Sequence, residues 1–155
     1  INRSITGKGL RETLKRISEH LTKLKIKSVP SGTQVFDWIV PKEWNVIEAY
    51  IITPSGEKIC DYSKNNLHLV GYSIPFEGRL SLDELKKHFY TLPDNPKAIP
   101  YVTSYFEEKW GFCLTKEQYD ILKPGIYKIV IKSSLLKGEL NYGELLIKGK
   151  SKREI

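Results

Sequence analysis

Apolar residues near the start of the chain recur at alternating steps of four and three: Leu10, Leu14, Ile17, Leu21 and Leu24. That spacing draws one stripe along a helix and predicts a helix over 7–24. Lysines and arginines at 8, 11, 15, 16 and 23 occupy its other face, and Ser4 or Thr6 stands where an N-terminal cap is needed. The period then drops to two. "KLKIKSV" sets Leu24, Ile26 and Ser28 against lysines and predicts a surface strand, followed by a turn at "VPSG".

After Gly32 the texture becomes that of short β runs broken by Pro and Gly: "TQVFDWIV", "IEAYIITP", "EKICDY" and "LHLVGYSI". Ser55-Gly56 is a tight-hairpin signal. "SLDELKKHF" opens with a capping box, Ser81 with Glu84 three residues on, and predicts a short helix ended before Pro93. "LPDNPKAIPYV" is a proline-rich loop. "YVTSYF", "WGFCL", "GIYKIVIKSS" and "GELNYGELLIKG" are further strands, with a short capped helix at "TKEQYDIL". Roughly eight short strands with two helical turns, after one helix and one strand, predict a sandwich or barrel. No internal repeat is visible.

The stretch "TQVFDWIVPKEWN" places two of the three tryptophans, Trp38 and Trp44, around Pro41. They form either a stacking platform or the corner where the chain enters a new layer. Pro41 marks the end of the incoming strand, because proline is a poor fit to a central strand.

Composition narrows the class. With 155 residues, 40% hydrophobic and 28% charged, the chain is long enough for one folded domain with a real core. No apolar run approaches the ~18 residues that span a bilayer, and "INRSITGKGLRETLKR" has no apolar signal region. The expectation is a cytoplasmic protein with no membrane partner. There is no Met, even at position 1, so a fragment or processed product is expected. The net charge of +7 permits an anionic partner. The basic residues are scattered among acids, however, and no nucleic-acid-binding signature appears, so electrostatic nucleic-acid binding is the weakest reading. Cys60 and Cys113 form no CxxC motif. Two buried free thiols fit a cytoplasmic chain, with a disulfide left open.

Candidate chemistry is sparse. His20, His68 and His88 form no HExxH pair, and no GxSxG, P-loop or GxGxxG occurs. Two stretches remain. In "RSITGKGLR", Arg3, Ser4 and Thr6 precede a helix whose N-terminal amides favour anions, with Arg11 flanking; the plainer alternative is a polar cap. "IPYVTSYFEEKWGFCL" packs Tyr101, Tyr105, Phe106, Trp110 and Phe112 into twelve residues, and strand alternation would put Tyr101, Thr103 and Tyr105 on one face. Such aromatics either bind sugars and peptides or form core and rim. A stand-alone β-sandwich module recognising saccharide or peptide through Tyr101, Tyr105 and Trp110 therefore stays open.

Five strings spread over the chain, "RSITGKGLRETL", "VPSGTQVFDWIVPKEWN", "NNLHLVGYSIP", "IPYVTSYFEEKWGFCL" and "LNYGELLIKGKSKREI", resemble the N-terminal part of a bacterial aminopeptidase-like family often found in polysaccharide-biosynthesis clusters. The resemblance implies a mainly β fold: a jelly-roll-like β-sandwich inserted in an incomplete α/β/α zinc-exopeptidase-like domain. Residues 1–35 would be that domain's opening helix and strand, 36–147 the inserted module, and 148–155 the start of the return. It also implies a zinc hydrolase, in which metal-activated water attacks an N-terminal peptide bond with a carboxylate as general base. The family's zinc ligands lie in segments that no residue here matches. No catalytic or metal residue is therefore assigned, and zinc is implied only for the longer protein. This chain alone is expected to be inactive. Arg3, Ser4, Thr6, Tyr101, Tyr105 and Trp110 are candidate cleft-lining residues. The implied partners are the remainder of the peptidase domain and a peptide-like or small amino-acyl substrate. If the helix stripe is left uncovered, a homo-oligomer is also expected.

Overall fold

A computed structural model describes residues 1–149. In chain order the elements are α1 (Lys8–His20), β1 (Lys25–Pro30), β2 (Gln34–Val35), β3 (Trp38–Ile39), β4 (Glu43–Ile52) and β5 (Lys58–Ile59). A 3-10 turn at Asn66–His68 leads to β6 (Phe76–Ser81), α2 (Leu82–Lys86), β7 (Phe89–Tyr90) and β8 (Phe112–Cys113). The chain continues through α3 (Lys116–Asp120), β9 (Ile126–Leu136) and β10 (Glu139–Glu144). The fold is mainly β, as expected. It divides into two compact units, one of residues 1–43 with 137 onward and the other of 44–136. The boundaries expected from sequence were 36 and 147. The segment "SKREI" lies outside the described residues.

In the first unit, α1 is a turn shorter than its apolar stripe predicts. It stops at His20, and the Leu21 amide closes the last turn on Ile17 O at 2.9 Å. Neither Ser4 nor Thr6 caps it: the N-cap position is Gly7, at φ 94, with no side-chain cap hydrogen bond. The chain instead crosses its own first turn. A Cβ on Gly9 would stand 1.9 Å from the Asn2 carbonyl oxygen, so only glycine permits that crossing. Leu14 is buried, and with Leu24 it packs over Gly143, where an added Cβ would meet them at 3.3 and 3.1 Å. Ile17 and Leu21 remain 40% and 43% exposed. β1 and β10 form an antiparallel two-stranded ladder from Lys25↔Glu144 to Pro30↔Glu139.

"TQVFDWIV" is not one strand but a hairpin, in which Gln34↔Ile39 and Val35↔Trp38 pair around a turn at Phe36–Asp37. No third strand joins it among the described residues.

The second unit is built on a four-stranded sheet in the order β5-β4-β9-β6. β9 supplies Tyr127, Ile129, Val130 and Ile131 to the core, and β4 supplies Ala49 and Ile51. β6 runs antiparallel to β9 from Phe76↔Ile131 to Ser81↔Ile126. Its "FEGRLS" pattern was not anticipated. The Ser81–Glu84 capping box on α2 forms as predicted, and the short capped helix expected at "TKEQYDIL" forms as α3 with a second box, Thr115 with Gln118.

Two expected strands do not. "LHLVGYSI" becomes the 3-10 turn plus single bridges, Leu69↔Phe112 and Gly71↔Thr103, because Asn65 caps the Leu67 amide and Tyr72 turns to φ 68. "YVTSYF" is a loop held by the bridge at Thr103. β7 and β8 form a short parallel pair. No helix among the described residues is long and apolar enough to cross a membrane.

Candidate functional site

The candidates of the first unit do not converge on an anion. Arg3 is exposed and lines a shallow groove with Thr13, Arg16, Ile17 and His20 on α1. Ser4 is half-buried, and Thr6 is 1% exposed, a core residue of its unit. Arg11, expected to flank an anion site, is already engaged. Its guanidinium donates to both Glu43 carboxylate oxygens at 2.7 and 2.8 Å, and to Asn141 Oδ1 at 3.4 Å. The hydrogen bond to Glu43 raises the Arg11 pKa further, against the opposing effect of burial. This fork ties the helix to the first residue of β4 and to β10, and it reads as a structural clamp.

In the second unit, Tyr101 and Tyr105 meet, with their hydroxyl oxygens 3.3 Å apart. Tyr101 is exposed, whereas burial pushes the Tyr105 phenol up. Beneath them runs a chain of rings. Tyr105 stands edge-on to Tyr72 at 4.9 Å, and Tyr72 stacks on Trp44 at 5.6 Å. Phe106, 76% exposed, extends the group outward at 6.3 Å from Tyr105.

Trp110 is not part of this surface. It is buried and stacks on His88 at 3.7 Å and on Phe76 at 4.3 Å. Two rings that close cannot share one face, so neither face of the indole is open to a ligand. Trp110, named with Tyr101 and Tyr105 as a candidate binding residue, is kept from their surface by its place in the core between His88 and Phe76. The accessible aromatics are Tyr101, Tyr105 and Phe106.

Trp44 is a core anchor of the second unit, where its indole N–H donates to Ser73 O at 3.0 Å. Trp38 sits half-buried in the hairpin of the first unit. The two tryptophans thus bracket the place where the chain passes from one unit to the other, directly before Trp44.

The remaining reactive side chains are held structurally. His68 Nδ1 lies 2.8 Å from Cys113 O, and His88 Nδ1 lies 3.2 Å from Trp110 O. Cys60 and Cys113 are buried free thiols. Desolvation, with a smaller push from Cys113, raises Cys60 to about 12, and burial raises Cys113 to about 11. Neither is a thiolate at neutral pH. Among the described residues no three His, Cys, Asp or Glu side chains cluster so as to hold a metal ion.

Residues 43–134 match the family described as "Domain of unknown function (DUF2172)". The chain belongs to that family. The DUF2172 match nearly coincides with the second compact unit, 44–136. A Clostridium acetobutylicum protein named "Putative polysaccharide biosynthesis protein with aminopeptidase-like domain" is 50% identical over 155 residues, all of this chain but 36% of that protein. A crystal structure of a "putative peptidase" from the same organism aligns at 50% identity with a TM-score of 0.86, over 92% of this chain and 34% of that one. The DUF2172 chain therefore spans about a third of the length of the relatives it matches.

Proposed function

We propose that this DUF2172 chain is the opening portion of a zinc-dependent aminopeptidase-like hydrolase, with its second unit inserted as a β module into the peptidase domain. The longer protein would remove N-terminal residues from a peptide-like or small amino-acyl substrate. The observation that carries this reading is the incompleteness of the first unit. It has one helix, a two-stranded ladder and a two-stranded hairpin. Ile17, Leu21, Ile26, Leu146 and Ile147 are exposed on it. A ladder of two strands with so much open apolar surface is marginal in water. It is the kind of unit that a larger domain completes, and the relatives are about three times this length.

Zinc does not fit the described residues of this chain, which offer no ligand cluster. The metal would be held by the rest of the protein, and no step is assigned to residues here. The chain's own part is scaffolding. The Arg11–Glu43–Asn141 clamp fixes the helix against the ladder, and the β module would shape access to the cleft. Two unpaired thiols accord with a cytoplasmic site of action.

The test is release of N-terminal residues from short peptides by the native-length gene product, with and without a chelator. Chelator-sensitive turnover supports the reading. Stoichiometric protein with no turnover on any peptide or amino-acyl substrate, with or without added zinc, removes it.

A second reading, saccharide or peptide binding by the module itself, rests on exposed Tyr101 and Phe106 with half-buried Tyr105 between them. It predicts saturable binding that weakens in Tyr101→Ala while the fold persists.

A further inference from the structure

The β2–β3 hairpin carries a residue that neither its backbone nor water favours. The turn is Phe36–Asp37, with the Gln34 side-chain amide donating to Phe36 O at 2.6 Å. Phe36 lies at φ 53, in the left-handed region where a Cβ is penalised and hairpin turns usually place Gly or Asn. Its phenyl ring is 96% exposed, and Ile39 on the same hairpin is 58% exposed. Among the described residues of the first unit only the Gln34 amide supports the turn, and nothing covers the ring. A backbone outlier bearing a fully exposed aromatic, on an apolar ribbon that joins no sheet, indicates a contact made elsewhere.

We propose that the hairpin tip, Phe36 with Ile39, is a plug that seats in an apolar socket on the part of the same polypeptide outside these 155 residues. Length identifies the occupant. The relative that aligns over all of this chain does so with only 36% of itself, so most of such a protein is available to cover the tip. The hairpin also belongs to the unit whose helix stripe is only partly covered, with Ile17 and Leu21 exposed. The inference rests on the reading that the chain is part of a longer protein. It does not depend on zinc or on turnover.

The test uses the native-length gene product. Phe36→p-benzoylphenylalanine keeps an aromatic ring at the tip. After irradiation, mapping by mass should find a link to a residue beyond 155 within one polypeptide. A link between two copies, or no link at all, overturns the plug. As a second readout, Phe36→Gly should lower the melting temperature by roughly 3–6 °C, although glycine relieves the backbone strain. An unchanged or raised melting temperature would mean that the ring is exposed in the whole protein, and would overturn the proposal. The two readings fail separately. A native product of 17.9 kDa, seen by intact mass before irradiation, removes the longer protein and the plug together. A confirmed link without peptidase turnover removes only the hydrolase.

Discussion

Replacing Arg11 by Met should cost about 1.5–2.5 kcal/mol of stability, between the values for exposed and buried ion pairs. The geometry sets that range. The Arg11 side chain is 36% exposed and Glu43 14%, so solvent screens the guanidinium substantially and the carboxylate much less. The pair is bidentate at 2.7 and 2.8 Å, the strong form of a charge-assisted hydrogen bond. Removing Arg11 leaves the Glu43 carboxylate largely desolvated and pressed against Gly138, where an added Cβ would meet its Oε2 at 2.6 Å. A double-mutant cycle isolates the pair from the other contacts of each residue. Urea unfolding of wild type, Arg11→Met, Glu43→Gln and the double variant should give a coupling energy of about 1 kcal/mol. A coupling below about 0.3 kcal/mol would mean that the clamp is an ordinary surface pair, and the argument that it fixes helix to ladder would fail.

Trp110→Ala should lose about 3–5 kcal/mol, because it empties the stack between Phe76 and His88, whereas Tyr101→Ala should stay within about 0.5 kcal/mol; equal losses in a denaturant titration would contradict the placement of the two rings. Cys60 and Cys113 should resist iodoacetamide in the folded protein at pH 8 and react once it is unfolded, because burial raises both thiols; rapid native labelling seen by intact mass would refute this. Asp61 is held below its ordinary 3.8 chiefly by the Ser63 hydroxyl, so its charged form is favoured in the folded state. That contribution is complete above the unfolded value and is lost as pH falls through the lower folded one. Asp61→Asn should therefore flatten the fall of the urea midpoint below about pH 4, and an unchanged slope would contradict it.

Local pattern carried the parts of this fold that local physics decides. The α1 stripe, the Ser81–Glu84 capping box, the capped helix at "TKEQYDIL", the Ser55-Gly56 turn and the strand at "GIYKIVIKSS" were all legible. The hairpin at 34–39 was not, because its turn carries Phe36 where the usual signal is Gly or Asn. "LHLVGYSI" has a strand's composition, but Tyr72 at φ 68 breaks the run. Trp110 was misread because a cluster of aromatics in sequence does not tell a surface ring from one stacked in the core between Phe76 and His88. The Arg11 clamp joins residues 32 and 130 positions apart, a separation no window of sequence reports. The candidate site fared accordingly. Tyr101 and Tyr105 were expected on one face of a strand but meet across a loop, the exposure of Phe106 was not read, and Thr6 is a core residue of its unit.

The central claim is that this chain frames a hydrolase whose metal is held elsewhere in the polypeptide. Zinc per polypeptide, measured side by side on the native-length gene product and on residues 1–155, tests it most directly. The account predicts at least stoichiometric zinc in the longer protein and none retained by the shorter. Zinc bound stoichiometrically by residues 1–155, or a native-length protein that takes up none, would contradict it.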